Sequence, residues 1–253
     1  MEVSIVIPVS RMEYIKQVFE NVNNLECDIN KTNLLVYVDG SHELFQKTRN
    51  IVITTKFKEK LCDFRAKGIG TVSSFVRRRQ RISDIHNEMR NKINKCDYVL
   101  LMEDDTLVKP NALKLLLEGF AQYPDAGIIS GIQIGRWGFT VIGGWQVDNI
   151  ENIQTITSIP LDKGIKEVDA TGLYFGLVKT ENYLNHTFKP FEKVLGPDTD
   201  FGISLRQKGF KNYVNYDVDC LHLTKREILS VATTPIQRVK LTRVGQNWAE
   251  ELI

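Results

Sequence analysis

Two apolar runs of this chain stop on carboxylates. Leu34-Leu-Val-Tyr-Val38 leads into Asp39, and Tyr98-Val-Leu-Leu-Met102 leads into Glu103-Asp104-Asp105. Short runs without polar alternation are the mark of strands buried on both faces, as in a parallel sheet covered by helices. Helix-period stripes separate them. Ile15, Val18, Phe19 and Val22 fall at i, i+3, i+4 and i+7. Ile82, Ile85, Met89 and Ile93 line one side of a helix predicted over about 76–94, and Pro110 opens another with Leu113, Leu116, Leu117 and Phe120 inward. With Ser4-Ile-Val-Ile-Pro-Val9 as the opening strand and Ile51-Val-Ile53 as a further one, the alternation predicts an α/β fold around a mostly parallel sheet. Ligands of such sheets bind beyond the carboxyl ends of the strands, so Asp39 and the acidic triplet are expected to converge.

The second half changes character. Residues 126–133, 139–147 and 173–178 are strand-like, 198–208 reads as a short helix closed by Gly209, and 212–216 and 218–223 complete a mixed sheet. Charge is distributed unevenly. Residues 45–95 hold 14 Lys and Arg against 4 Asp and Glu, while the rest of the chain holds 19 against 27, so a formal net charge of +2 hides two opposed regions.

Several classes are disfavoured. No run approaches the ~18 apolar residues of a membrane span. The N-terminus reads as a strand and lacks a basic n-region, so a cytoplasmic location is expected, with peripheral membrane contact left open. The four cysteines (Cys27, Cys62, Cys96 and Cys220) are scattered without a CxxC pair, which favours free thiols over a zinc or redox site. No GxGxxG follows a strand, and Gly68-Ile-Gly70 is too short for a dinucleotide loop. Arg77-Arg-Arg-Gln-Arg81 lacks the surrounding signals of a nucleic-acid-binding fold, so no nucleic-acid partner is expected.

The acidic triplet is the strongest chemical signal. Adjacent carboxylates raise one another's pKa, and a divalent cation removes that cost; hard oxygen ligands suit Mg²⁺ or Mn²⁺. A solvated turn, with Asp105 capping the Pro110 helix, is the alternative.

Taken in order, these segments resemble a GT-A-fold glycosyltransferase of the large family 2 type. Ser4–Val9 resembles that family's opening strand, Val36-Tyr-Val-Asp39-Gly-Ser41 its second strand, and Tyr98–Asp105 its DxD motif. Asp169-Ala-Thr-Gly172-Leu-Tyr-Phe-Gly-Leu-Val178 resembles the strand bordering the donor and acceptor sugars. The segment from Pro190-Phe-Glu through Gly196-Pro-Asp198-Thr-Asp200 to Lys211 resembles the catalytic carboxylate and its helix, and Cys220-Leu-His222-Leu the strand-end histidine. The match covers roughly residues 3–223; one departure is Pro197-Asp198, where the family usually has Glu-Asp.

The resemblance implies a GT-A fold with a nucleotide-binding half over about 1–105 and an acceptor half over about 106–223. It implies a nucleoside-diphosphate sugar donor, a UDP-sugar favoured, and a hydroxyl acceptor on a glycan, protein or small molecule. Pro8, Val9, Ser10 and Asp39 would contact the nucleotide base. Glu103 or Asp104 would lie near the ribose. Asp105 and His222 would hold Mn²⁺ or Mg²⁺, and Asp198 would be the base of an inverting transfer, with Asp200 as the helix cap. Arg81, spaced i, i+4 and i+8 with Ile85 and Met89, is expected to reach the diphosphate or the base. Trp137 and Trp145 flank glycines on the acceptor side, where an indole either stacks on a sugar or packs in the core. His86 and His186 read as packing residues, with one qualification: Ile85-His86-Asn87 occupies roughly the place where the family often carries Ala-Arg-Asn, which implies a helix facing the nucleotide. Residues 224–253 fall outside the resemblance and read as a lid, a membrane contact or an oligomer arm. A retaining glycosyltransferase, a sugar-phosphate nucleotidyltransferase and a non-catalytic carbohydrate-binding module of the same fold are the rival readings.

Overall fold

The computed structural model of the chain describes residues 1–65, 75–136, 140–189, 196–245 and 247–253, with side chains except at 75–78 and 136. The first hundred residues run β1 (Val3–Val9), α1 (Ile15–Asn24), β2 (Thr32–Asp39), α2 (His42–Val52), β3 (Lys60–Arg65), α3 (Phe75–Met89) and β4 (Tyr98–Met102). Strands β3, β2, β1 and β4 are adjacent in that order and all parallel. The chain continues through β5 (Thr106–Leu107), α4 (Ala112–Gln122), β6 (Ala126–Arg136), β7 (Thr140–Ile142), β8 (Gly144–Val147), β9 (Thr155–Ser158), β10 (Ile165–Val168), β11 (Ala170–Thr171), β12 (Phe175–Lys179), α5 (Thr180–Leu184) and α6 (Pro197–Gln207). It ends with β13 (Lys211–Leu223), β14 (Ile228–Leu229), β15 (Val239–Val244) and β16 (Asn247–Leu252). β12 joins β4 antiparallel and links the parallel half to β6, β13 and β10. A second sheet has the order β11-β8-β9-β15-β16.

The main sheet is buried on both faces because the residues of its central strands are apolar on both. Ile5 and Ile7 of β1 join Val18, Phe19 and Val22 of α1 and Leu113 and Leu116 of α4 on one side. Val6 joins Ile85 and Met89 of α3 and Phe201 and Leu205 of α6 on the other. This is the layering that the uninterrupted apolar runs predict.

Some expected elements differ. Residues 51–53 do not form a strand: Ile51 and Val52 end α2, which Ser41 caps through a 3.1 Å bond from the Leu44 amide and which buries Leu44, Thr48 and Val52 at i, i+4 and i+8. The third parallel strand is β3 instead. It sits at the sheet edge and mixes Lys60, Asp63 and Arg65 with apolar residues, so its signal is weak. The helix after the acidic triplet begins at Ala112 with Asn111 before it, so Asp105 is not its cap and Pro110 lies outside it. The residues 212–216 and 218–223 are one strand, β13, whose pairing with β6 is irregular between Val214 and Asp219. Ile82 is 42% exposed, and the inward face of α3 runs through Ser83, Ile85, His86 and Met89.

The expected helix stop at Gly209 is present, with φ of 87° in the left-handed region open to glycine. β15 and β16 complete the second sheet, and Val239 and Leu241 are buried there with Trp145, Ile156, Ala170 and Ile203. Trp145 is therefore a packing residue. Gly68-Ile-Gly70, Trp137 and the segment at Pro190-Phe191-Glu192 lie outside the described residues, as do the side chains of Arg77 and Arg78. All four cysteines are unpaired. No helix among the described residues is long and apolar enough to cross a membrane.

Candidate active site

Parallel pairing brings the strand ends together. Val9 of β1 is opposite Val38 of β2, and Val6 is level with Leu101 of β4, so Asp39 and the acidic triplet flank the end of β1. After Met102 the chain turns, and Asp104 is directed back onto β1. Its Oδ2 accepts hydrogen bonds from the Ser10 amide at 2.6 Å, the Arg11 amide at 2.8 Å and the Ser10 hydroxyl at 3.3 Å. A carboxylate that accepts two backbone amides fixes the loop that carries them. Its other oxygen, Oδ1, lies 3.0 Å from Arg11 Nη1. Asp104 is thus fully engaged within the chain.

Asp105 is brought in from the other side. Strand β5 pairs with β13, placing Thr106 opposite His222, and the Leu223 amide donates to the Asp105 carbonyl at 2.8 Å. His222 Nε2 then lies 3.3 Å from Asp105 Oδ2, while its Nδ1 lies 2.8 Å from the Ile134 carbonyl oxygen. A carbonyl only accepts, so Nδ1 donates. Burial disfavours the charged ring, but the Asp105 hydrogen bond and charge, with the Ile134 carbonyl and Glu103, outweigh it and raise the His222 pKa. Asp105 Oδ2 also contacts Arg11 Nη1. Its Oδ1 is buried and has no hydrogen-bond partner among the described residues.

Glu103 shows how densely charge is gathered here. Burial and then the Asp105 charge push its carboxyl up to about 8, against the opposing pull of Arg11 and His222; Asp198 adds to the rise. Asp198, from the first turn of α6, is therefore near enough for its charge to act on Glu103. Burial raises the Asp198 pKa, while the amides of Thr199 and Asp198 and the charge of Arg79 oppose the rise. Gly196 is the N-cap of α6, so Asp200 is not; Asp200 lies inside the helix, 3.5 Å from His186 Nε2. Gly196 caps without a side chain, while Asp198 itself takes amides of the first turn.

Asp39 is 1% exposed. Its Oδ2 pairs with Arg81 Nε, and Arg81 Nη2 donates to its carbonyl at 2.8 Å. Asp39 Oδ1 is buried without a partner among the described residues. Arg81 thus meets the carboxylate at the end of β2. Pro8, Val9, Ser10, Glu103 and Asp104 line one small cavity of about 80 Å³, together with Arg11, Ile82, Ile85 and His86.

Two of these groups escape a reading of the sequence, and a third is read only in part. Arg11 lies in a polar turn with no periodicity. Arg79 reads as part of a solvated basic run, yet it is 5% exposed and its charge acts on Asp198. His86 reads as packing on a helix that the resemblance turns toward the nucleotide, and it lines the cavity. Arg79, Ser83 and His86 are spaced i, i+4 and i+7, a buried polar stripe beside the apolar one; that spacing was the available signal.

The fit of a divalent cation can be judged from the donors. No group of three or more His, Cys, Asp and Glu side chains forms a metal cage among the described residues. Asp105 offers a buried free oxygen and His222 an imidazole beside it, which suits Mg²⁺ or Mn²⁺ shared with substrate phosphates rather than a closed protein site.

Neither a protein-family model nor a curated protein sequence matches the chain. Solved structures do. A mannosyltransferase from Pyrobaculum calidifontis, in complex with GDP-mannose and Mn²⁺, is 12% identical with a TM-score of 0.62 over 89% of this chain and 58% of its own. GalNAc-T7, with UDP, GalNAc and Mn²⁺, is 11% identical with a TM-score of 0.66 over 88% of this chain and 44% of its own. The 1–349 piece of S. aureus TarS is 13% identical with a TM-score of 0.52 over 90% of this chain and 59% of its own. The chain spans about half the length of these structures. Its fold, a central mixed sheet with a parallel β3-β2-β1-β4 half and helices on both faces, is the GT-A fold expected from the sequence.

Proposed function

We propose that the chain is a glycosyltransferase that moves a sugar from a nucleoside-diphosphate sugar, a UDP-sugar favoured, to a hydroxyl acceptor, with Mn²⁺ or Mg²⁺ as cofactor. The observation that carries this reading is the convergence of Asp105, His222, Glu103 and Asp198, from three separate elements, at the carboxyl end of the parallel half. The neighbouring structures with GDP-mannose or UDP and Mn²⁺ support the same class of donor.

In this reading Asp39 Oδ1 accepts an N–H of the base, Arg81 holds Asp39 in place, and Pro8, Val9 and Ser10 bound the base. Asp104 is already committed to Ser10 and Arg11, so Glu103 takes the ribose. Asp105 and His222 hold the metal, which when bound supplies Lewis-acid neutralisation of the departing diphosphate. Asp198 takes the proton of the attacking hydroxyl. Burial lifts its pKa toward the working range, the direction a general base requires. One carboxylate facing the acceptor fits an inverting displacement.

The test is calorimetric binding of UDP- and GDP-sugars with and without Mn²⁺, followed by donor hydrolysis across the same panel. Binding and turnover of at least one donor, lost on chelation, is expected. No binding by any donor would leave only the non-catalytic reading, and turnover that survives chelation would defeat the metal assignment.

A further inference from the structure

Among the described residues, the arginine that meets the acidic turn is Arg11. Its Nη1 lies 3.0 Å from Asp104 Oδ1 and contacts Asp105 Oδ2, the oxygen that His222 also approaches. The Arg11 backbone is fixed by the bond from its amide to Asp104, but its side chain is 40% exposed. Asp105 is only 4% exposed, and its second oxygen is buried without a partner among the described residues. Arg11 bounds a small cavity of about 80 Å³ with Ser10, Glu103, Asp104, Ile82 and His86. Arg11 therefore stands on Asp105, a carboxylate with acceptor capacity to spare, at the rim of a small cavity.

We infer that Arg11 is a resident counter-cation: it occupies Asp105 in the free protein and yields it to a divalent cation only when a diphosphate arrives to take the guanidinium. The inference rests on the reading of this cleft as a nucleotide–metal site. A divalent ion entering alone would meet a fixed positive charge a few ångströms away, and like charges at that range repel strongly. A diphosphate reverses the balance. It brings negative charge, and it gives the planar guanidinium a bidentate partner to replace the carboxylates. The swing also enlarges the cavity. Metal and nucleotide then bind with positive coupling, and by linkage each strengthens the other equally.

Mn²⁺ titrations of the full chain followed by electron paramagnetic resonance, with and without UDP or GDP, test this. In the wild type, Mn²⁺ alone should bind weakly, and a saturating nucleoside diphosphate should tighten it on the order of tenfold or more. Arg11→Met, which keeps the apolar stem, should bind Mn²⁺ alone on the order of tenfold tighter than wild type, with the coupling to nucleotide much reduced. Arg11→Lys, which keeps the charge, should behave like wild type with Mn²⁺ alone. Equal Mn²⁺ affinity in wild type and Arg11→Met would overturn the inference. So would wild-type Mn²⁺ affinity indifferent to a nucleotide that binds, a result that needs no variant to fold. A wild type that binds no nucleoside diphosphate would instead overturn the nucleotide reading together with the exchange, whereas the metal-only comparison still decides whether Arg11 guards Asp105.

Discussion

Asp198 and Arg79 illustrate how a single residue's environment can be turned into a test. Asp198 is held by the amides of its own helix end, and burial raises its pKa, while the Arg79 charge opposes that rise. Arg79 is itself lowered to about 10 by burial, with Asp198 holding it up. If Asp198 is the base, Asp198→Asn should lower kcat by about 10²–10⁴-fold while nucleotide affinity changes little. Calorimetry beside steady-state kinetics checks both halves. Arg79→Met removes the charge that favours the Asp198 carboxylate, so the Asp198 pKa rises further. Only the ionised carboxylate accepts a proton, so the acidic limb of the kcat/KM profile should move to higher pH. A profile that stays in place would separate Arg79 from the base.

At the scale of elements, α3 and α6 determine what the cleft holds. His86 on α3 is buried, stacks on Phe188 at 4.6 Å, and has its Nδ1 3.0 Å from the Tyr183 hydroxyl. Burial, helped by the charge of His186, lowers its pKa to about 3. A depressed histidine stays neutral in the folded chain while the unfolded chain takes up a proton below about 6.5. This group therefore costs no stability above that pH and costs about 1.4 kcal/mol per pH unit as pH falls from about 6.5 toward 3. Thermal melts of wild type and His86→Phe over that range should diverge: the variant loses stability less steeply. Gly202 sets the depth of α6, because a Cβ there would lie 2.7 Å from Ala170 Cα on β11. Gly202→Ala should cost about 1–3 kcal/mol by overpacking and, since Asp198 rides on the same helix, lower kcat as well. Denaturant melts and kinetics measure the two effects.

These same elements show what the sequence could reveal. β1, β2 and β4 were legible because a strand buried on both faces must be apolar throughout. β3 was not, since an edge strand with Lys60, Asp63 and Arg65 has no such constraint, and the β-rich run at 51–53 took its place. Asp39 and Asp105 stood out as candidates because each follows an apolar strand, whereas Asp198 and His222 stood out through the family resemblance. Arg11 and Arg79 did not: their roles come from the carboxylates they meet 93 and about 120 residues away, and no local pattern encodes that distance.

Across the whole molecule, the second sheet ties the C-terminal strands to the site. Val239 and Leu241 of β15 are 0% and 1% exposed, packed with Ile156 of β9 and with Ile203 of α6, the helix that carries Asp198. A lid resting on a finished protein could be removed without exposing such a cluster; these strands cannot. Burying one Val or Leu side chain contributes roughly 1.5–3 kcal/mol, so losing both removes roughly 3–6 kcal/mol. A domain's total stability is only about 5–15 kcal/mol. Ending the chain after Leu229 should therefore lower the melting temperature sharply and disturb the near-ultraviolet circular dichroism of buried Trp145. The milder Leu241→Ala should cost about 2–5 kcal/mol while leaving the fold measurable. If the proposed residues at the ends of β1, β2 and β4 hold the nucleotide and Asp198 is the base, nucleotide binding in that variant should persist while transfer weakens as α6 loses its support. Unchanged melting of the shortened chain would make residues 230–253 a dispensable appendage and detach them from the placement of Asp198.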